Sequence, residues 1–234
     1  MAGLKDTVSK FSEGLRETGE MIAFKHTVFA LPFAVIALIT AAAPDWPMPQ
    51  TWFWVAAAMV SARTTAMAVL LGYSYAKRFT AASHLWLGLA LGIAPVGAWI
   101  SVTGRVEWPA LVLAGAVSLW VAGFDIIYSL QDEEFDREHA LHSLPAHLGG
   151  RRALILARLF HLVAFAGFLV FALAAGGGPI RLLAVVAAGL LLGWQHRLIR
   201  ANDLQSVDQA FFTANGTLAL AMCVLFVIAR LTTA

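Results

Sequence analysis

The chain has 234 residues and a formal net charge of +2, and it is 60% hydrophobic but only 13% charged. Its mean hydropathy of +0.76 is far above what one buried core can account for, which excludes an ordinary soluble globular protein. The single cysteine, Cys223, excludes an intrachain disulfide and a cysteine-rich metal cluster. We expect no nucleic-acid partner.

The first predicted element is a charged arm at residues 1–20. It contains seven charged side chains and no apolar stretch, so we expect an amphipathic surface helix on the cytoplasmic side rather than a cleavable signal peptide. Its charged residues are Lys5, Asp6, Lys10, Glu13, Arg16, Glu17 and Glu20. The rest of the chain, residues 21–234, is predicted to form a single transmembrane domain.

Seven apolar runs follow the arm, and most are about as long as a bilayer's hydrocarbon core requires. They cover roughly residues 22–42, 51–75, 84–102, 108–130, 153–175, 180–195 and 208–230. Backbone groups inside the membrane must be hydrogen-bonded internally, and these runs are too long and too poor in alternation for barrel strands. The predicted fold class is therefore all-α, a polytopic membrane helix bundle of about seven transmembrane helices.

Lysine and arginine are distributed unequally between the two sets of connections. Eleven fall on the side that holds the arm and the acidic segment at residues 124–136, and three fall on the other side. Because positive charge marks the cytoplasmic side, we expect a bacterial-type inner (cytoplasmic) membrane, with the N-terminus and the acidic segment in the cytoplasm. Tryptophans mark the opposite interface, namely Trp46, Trp52, Trp54 and Trp108.

The acidic segment reads "FDIIYSLQDEEFD" and follows the fourth apolar run. Asp125, Tyr128, Asp132 and Asp136 are spaced so that they would share one face of a helix. A row of carboxylates suits a hard cation such as Mg²⁺, which takes one or two carboxylates together with phosphate oxygens and water. Asp125 lies inside the apolar run, where an ionisable group is costly and marks a functional site. Glu133, Glu134 and Glu138 are better explained as part of a solvated loop that needs no ligand.

Basic side chains on the same side provide candidates for anion binding. Lys77 and Arg78, in "YSYAKRFT", are suited to contact phosphate directly, although they fit equally well as charges that set the topology. His26, early in the first span, is a candidate for a substrate chamber or an ordinary interfacial histidine.

Several stretches together resemble one known family. They are "IAFKHTVFALPFAVIA" (22–37), "SARTTAMA" (61–68), "VLLGYSYAKRFTAASHLWLGLALGIAPVGAWI" (69–100), "GFDIIYSLQDEEFDREHALHSLPAHLG" (123–149) and "DQAFFTANG" (208–216). They are similar to the UbiA superfamily of intramembrane aromatic prenyltransferases, in particular to the 4-hydroxybenzoate polyprenyltransferase-like enzymes of quinone biosynthesis. The stretches cover most of the chain and occur in the family's order.

The resemblance implies roles for the acidic residues. In enzymes of this kind, two aspartate-rich motifs at the cytoplasmic mouth bind Mg²⁺ and the diphosphate of a polyprenyl donor. Tyr128, Asp132 and Asp136 match the second motif, with Asp125 before it. Asp132 and Asp136 are the implied metal ligands, and all four residues are implied in catalysis.

The resemblance also implies a reaction. Lys77 and Arg78 match a basic pair that contacts the diphosphate. Cations would stabilise the leaving diphosphate while an allylic cation forms in an apolar, water-poor chamber. The electron-rich ring of an aromatic acid such as 4-hydroxybenzoate would then attack. This corresponds to Mg²⁺-dependent transfer of a polyprenyl group in ubiquinone or menaquinone biosynthesis.

The first aspartate-rich motif of the family is missing. No Asp occurs between Asp45 and Asp125, and the first Asn anywhere is Asn202. Compared with the family pattern of nine spans, the chain lacks about one helical hairpin, so the start of one span is joined directly to the end of another. The resulting hybrid span would cover Thr51–Tyr75. Arg63 would lie near its centre, where it either lines the substrate chamber, meeting Asp125 or the acceptor's carboxylate, or is a misplaced charge.

Three alternatives therefore remain open at the level of sequence. The first is a catalytically impaired, truncated homologue that binds prenyl diphosphate or a partner without turnover. The second is a menaquinone-route enzyme that uses a naphthoate-like acceptor. The third is a transporter or channel, which is suggested only by the buried charges, because the chain shows no inverted repeat with broken helices in matching positions.

Overall fold

The computed structural model describes residues 29–53, 55–56, 72, 76–199, 207 and 210–233. The N-terminal arm, His26, Arg63 and most of the second predicted span lie outside these residues. The expectations for them therefore remain predictions.

The described part of the chain is almost entirely helical and contains no strand, which confirms the all-α fold class. It includes the helices α1 (Phe29–Ala41), α2 (Ser83–Thr103), α3 (Trp108–Tyr128), α4 (Glu133–Glu138), α5 (Leu144–Leu148), α6 (Gly150–Ala174), α7 (Pro179–Leu198) and α8 (Asn215–Thr233). A 3₁₀ turn over Ser129–Asp132 joins α3 to α4, and a π-helical turn over Ala210–Ala214 leads into α8.

Helix α3 is at the centre of the bundle. It packs against α2 on one side and α6 on another, and α7 packs against both α6 and α8. Trp120 of α3 is fully buried, and its ring lies 5.2 Å from that of Phe33 and 5.1 Å from that of Phe124. Phe33 stacks in turn on Phe168 of α6 at 5.4 Å. These rings join α1, α3 and α6 into one apolar core.

Glycines allow the helices to approach closely. A Cβ atom added to Gly88 would collide with the backbone carbonyl of Ser118, and one added to Gly92 would collide with the Ser118 hydroxyl. These are the glycines of "GLALG" in α2, so the pattern is explained by helix packing. At the turn between α6 and α7, Gly176, Gly177 and Gly178 have φ values of 97°, 59° and 90°, which side-chain-bearing residues rarely adopt.

The surface of the bundle is suited to a membrane. Five described helical segments are long and apolar enough to cross one, beginning at Ser83, Trp108, Gly150, Pro179 and Phe212. Large apolar side chains such as Leu89, Ile93, Leu162, Leu190 and Leu220 are exposed on their outer faces, where lipid would cover them. The chain is therefore a multi-pass membrane protein, and these segments match five of the seven predicted spans.

Candidate functional site

The predicted basic and acidic residues meet at one end of the bundle. Lys77 Nζ lies 3.4 Å from Asp136 Oδ2, and the two side chains are only 14% and 3% exposed. This ion pair joins two connections that are 59 residues apart in sequence. The structure therefore brings together one candidate from the basic pair and one from the acidic row.

The backbone fixes the same two connections to each other. The His142 amide donates a 2.6 Å hydrogen bond to the Lys77 carbonyl. Downstream, Ser143 caps the N-terminus of α5, because its hydroxyl accepts a hydrogen bond from the Ala146 amide at 3.3 Å. The segment that follows α4 is thus ordered against the turn that carries Lys77.

Asp125 meets a histidine inside the bundle. Its Oδ2 lies 2.6 Å from Nδ1 of His84, which is fully buried, and Asp125 itself is only 7% exposed. The Leu144 amide donates to Nε2 of His84 at 3.4 Å, so Nε2 is an acceptor and Nδ1 carries the proton. The contact is therefore a hydrogen bond from a neutral imidazole to the carboxylate, and it orients Asp125.

His84 is the functional candidate that sequence reasoning missed. It lies at the second position of α2, in "AASHLW", with no neighbouring residue that forms a recognisable ligand spacing. Its partner is 41 residues away, so only the packing of α2 on α3 brings the two together. The one available signal was a histidine at the start of a strongly apolar span.

Asp132 is placed differently from the other two aspartates. It is exposed, whereas Asp125 and Asp136 are buried. The single helical face expected for the row is interrupted, because residues 129–132 form a 3₁₀ turn that rotates the chain about 20° further per residue than an α-helix. Asp132 nevertheless lies within electrostatic range of Lys77, Asp136 and Asp125, so the three carboxylates form one cluster.

Arg78 and Tyr128 border the cluster. Arg78 is exposed on the same turn as Lys77, so its guanidinium can reach an anion at the surface of the site. Tyr128 ends α3 and is half-buried against the apolar core. Both remain candidates.

The residues present fit a metal ion that is bound together with an anionic ligand. Within the described ranges, no three His, Cys, Asp or Glu side chains converge to hold a metal on their own. Mg²⁺ commonly uses only one or two carboxylates and fills its remaining positions with phosphate oxygens and water. Asp132 and Asp136 supply those two carboxylates, and they lie within electrostatic range of each other.

A second buried polar network lies deeper in the bundle. His161 Nε2 lies 3.1 Å from the Trp120 carbonyl, and His161 Nδ1 lies 2.9 Å from His196 Nε2. The Trp120 indole donates to Asn215 Oδ1 at 3.0 Å. These bonds connect α3 with α6, α7 and α8, and they satisfy polar groups that would otherwise be costly to bury.

The sequence of the chain is similar to those of known proteins. The model of the UbiA prenyltransferase family matches residues 64–220. A 4-hydroxybenzoate octaprenyltransferase of Nitrosospira multiformis is 31% identical over 143 residues, which are 61% of this chain and 49% of that protein. A 4-hydroxybenzoate solanesyltransferase of Synechocystis is 33% identical over 116 residues, 50% of this chain and 37% of that protein.

Relatives with a different named acceptor also match. A protoheme IX farnesyltransferase of Mycolicibacterium vanbaalenii is 28% identical over 184 residues, 75% of this chain and 58% of that protein. The chain spans about half the length of the curated relatives that it matches.

The fold also matches a solved structure. The apo structure of a UbiA homolog from Aeropyrum pernix K1 aligns with a TM-score of 0.62 and 24% identity, covering 89% of this chain and 97% of that chain. This likeness supports the arrangement of the helices.

Proposed function

The chain belongs to the UbiA prenyltransferase family, and from that premise we propose that it transfers a polyprenyl group from a polyprenyl diphosphate to an aromatic acid such as 4-hydroxybenzoate. The observation that carries this proposal is the cluster in which Lys77 contacts Asp136, with Asp132 and Asp125 within electrostatic range. Such a cluster suits the charged end of a donor whose tail is apolar.

The charge of the cluster explains why a cation is needed. Three ionised aspartates against Lys77 and Arg78 leave a formal charge of 2 − 3 = −1, which would repel a diphosphate. Asp132 and Asp136 would hold Mg²⁺, which would neutralise charge on the diphosphate. Because the net charge of the cluster is negative, Lys77 and Arg78 alone are not expected to bind the donor tightly.

The chain's own residues would act mainly on the leaving group. The bond between the first prenyl carbon and the diphosphate oxygen breaks, and its electron pair leaves with the diphosphate. Lys77 and Arg78 donate hydrogen bonds to the oxygens on which that charge develops. A ring carbon of the acceptor supplies the electron pair of the new carbon–carbon bond. The proton on that carbon then passes to the released diphosphate or to water, which completes the substitution.

His84 contributes by orienting Asp125 rather than by contacting the donor. The imidazole donates from Nδ1 and thereby fixes the direction of the Asp125 carboxylate. Arg63 and His26 remain proposed residues of the substrate chamber, and both lie outside the described residues.

The names of the relatives agree on a prenyl donor but differ in the acceptor. The relatives' names specify octaprenyl, solanesyl and farnesyl transfer, and all three are transfers of a prenyl group. Because the match to the protoheme IX farnesyltransferase is longer than the other two, a porphyrin-type acceptor is the second candidate. A naphthoate-like acid of a menaquinone route is a further candidate acceptor.

The positive charges support a location in the cytoplasmic membrane. Lys77, Arg151 and Arg152 all lie near the end of the bundle that carries the aspartates, which is the end expected to face the cytoplasm. A water-soluble diphosphate head group and a soluble aromatic acid would then both reach the site from the cytoplasm.

The test uses the purified full chain in detergent with farnesyl diphosphate, 4-hydroxybenzoate and Mg²⁺, and it detects the prenylated acid by mass spectrometry. We expect product in the parent, and its loss in Asp136→Asn, in Asp132→Asn and on addition of EDTA. Glu134→Gln is the matched control, because Glu134 is exposed in the same connection. Replacing 4-hydroxybenzoate with a protoheme or a naphthoate distinguishes the acceptors.

Absence of product in the parent would contradict the proposed activity. Equilibrium binding of farnesyl diphosphate to the same sample would then separate two cases. Mg²⁺-dependent binding without turnover would identify a homologue that binds the donor only, whereas absence of binding would exclude the site itself.

A further inference from the structure

Two arginines lie at the end of the bundle opposite the aspartates. Helix α6 begins beside the site and runs away from it for 25 residues, about 37 Å, so the turn at residues 175–178 is at the far end. Arg181 follows this turn, and Arg230 lies in the last turn of α8. Both line one small cleft together with Ile39, Thr40 and Phe226.

Arg230 is held in place by its neighbours, but one of its N–H donors has no acceptor among the described residues. It is only 5% exposed, its Nη2 donates to the carbonyls of Pro44 and Asp45, and its guanidinium lies 5.5 Å from the centre of the Trp46 ring. Its Nε is buried and has no hydrogen-bond partner among the described residues. A buried N–H donor without an acceptor is unfavourable unless a ligand or water completes it.

Arg181 places a second positive charge beside the first. Its Nη1 donates to the Gly177 carbonyl at 3.1 Å, and its guanidinium is within electrostatic range of Arg230. The ion pairs formed within the described part of the chain include neither arginine. Two neighbouring guanidinium groups that repel each other and lack a carboxylate favour binding of an anion.

We propose that Arg181 and Arg230 form a binding site for a phosphate group at this end of the bundle. Guanidinium groups match phosphate oxygens in geometry and charge, and the Thr40 hydroxyl lines the same cleft. The site is independent of the proposed prenyl transfer, because it lies at the opposite end of the molecule.

The shape of the cleft favours a phosphate carried by a lipid. The cleft has a volume of about 230 Å³ when its open mouth is included. Its inner part has room for only about one water molecule. A phosphate would therefore lie at the mouth with one oxygen directed inward. Ile39 and Phe226 supply apolar walls, and Trp46 is of the type that lies at the level of lipid head groups.

The experiment measures thermal unfolding of the purified full chain in detergent at constant ionic strength. The probes are dioleoylphosphatidylglycerol, dioleoylglycerol, which has the same chains without phosphate, and inorganic phosphate alone. The variants are Arg181→Gln and Arg230→Gln, with Arg105→Gln as the control. Arg105 lies at the same end but is paired with Glu107 at 2.6 Å.

We expect phosphatidylglycerol to raise the Tm of the parent and of Arg105→Gln, and dioleoylglycerol to leave it unchanged. Arg181→Gln should require about tenfold more phosphatidylglycerol for the same shift, since it loses a charged hydrogen-bond donor. Arg181→Gln keeps the proposal testable if Arg230→Gln fails to fold, because Arg230 also holds the backbone at residues 44–45.

An equal shift in the parent and in Arg181→Gln would overturn the proposal, as would an equal shift with dioleoylglycerol. A further outcome is that inorganic phosphate raises the Tm of the parent but not that of Arg181→Gln, while phosphatidylglycerol raises neither. That result would support the phosphate site and would show that its ligand is a free anion and not a lipid. Absence of any shift with either phosphate probe would overturn the site altogether.

Discussion

Replacing His84 by leucine should weaken the bundle by removing one buried hydrogen bond to a charged group. The bond from Nδ1 to Asp125 Oδ2 is 2.6 Å long, and His84 is fully buried. Hydrogen bonds between neutral groups in membrane proteins average about 0.6 kcal/mol, whereas those to charged groups contribute about 1.5–3 kcal/mol. We therefore expect His84→Leu to lose about 2 kcal/mol of stability.

His84→Gln provides the matched comparison. A glutamine amide can donate to Asp125 from its nitrogen and accept from the Leu144 amide with its oxygen, so it can reproduce both bonds of the neutral imidazole. A loss of about 2 kcal/mol corresponds to a Tm about 4–8 °C lower in a protein of this size. His84→Gln should lie nearer the parent, and His147→Leu, an exposed site at the same end, should match the parent.

The assay is thermal unfolding in detergent, followed by prenyl transfer measured well below the Tm of each variant. If His84 orients Asp125, His84→Leu should also lower kcat while His84→Gln retains most of it. Unfolding of both His84→Leu and His84→Gln at the same temperature as the parent would show that the hydrogen bond to Asp125 does not stabilise the bundle. A drop in Tm that is equal for the two variants would show that packing, and not the hydrogen bond, is what His84 contributes.

Three further changes follow from the structure. Lys77→Gln removes the ion pair with Asp136 and should raise the KM for farnesyl diphosphate about tenfold, measured by steady-state kinetics. Gly92→Ala should destabilise the bundle by about 1–3 kcal/mol, seen as a lower Tm, because its Cβ would collide with Ser118; an unchanged Tm would show that α2 can move outward. Hydrogen bonds, first of all from Trp99, lower the pKa of Glu107 below its usual 4.5. Glu107 should therefore stabilise the protein above that pH and lose this effect as pH falls below it, so Glu107→Gln should have a flatter Tm profile under acid conditions.

The helices could be predicted from the sequence because their ends are marked by composition. The apolar runs at 153–175 and 180–195 correspond to Gly150–Ala174 and Pro179–Leu198. Their shared boundary is a run of glycines followed by proline, which end one helix and begin the next. Apolar length and turn chemistry are local properties, so one sequence is enough to locate these segments.

The pairings within the site could not be predicted in the same way. Asp125 was recognisable because a carboxylate within an apolar run is unusual, but nothing in the sequence points to His84 as its partner. The contact between Lys77 and Asp136 depends on how two connections fold over the end of the bundle. The 3₁₀ turn that exposes Asp132 has no local signal such as glycine or proline in "SLQD".

The bond from the His142 amide to the Lys77 carbonyl has a consequence for how freely this region can change during evolution. Because both partners are main-chain groups, any residue except proline at position 142 can supply the donor. The position of the Lys77 backbone therefore does not depend on which side chain is present at position 142. Lineages can exchange residues at this position while keeping the basic side chain in register with the carboxylates.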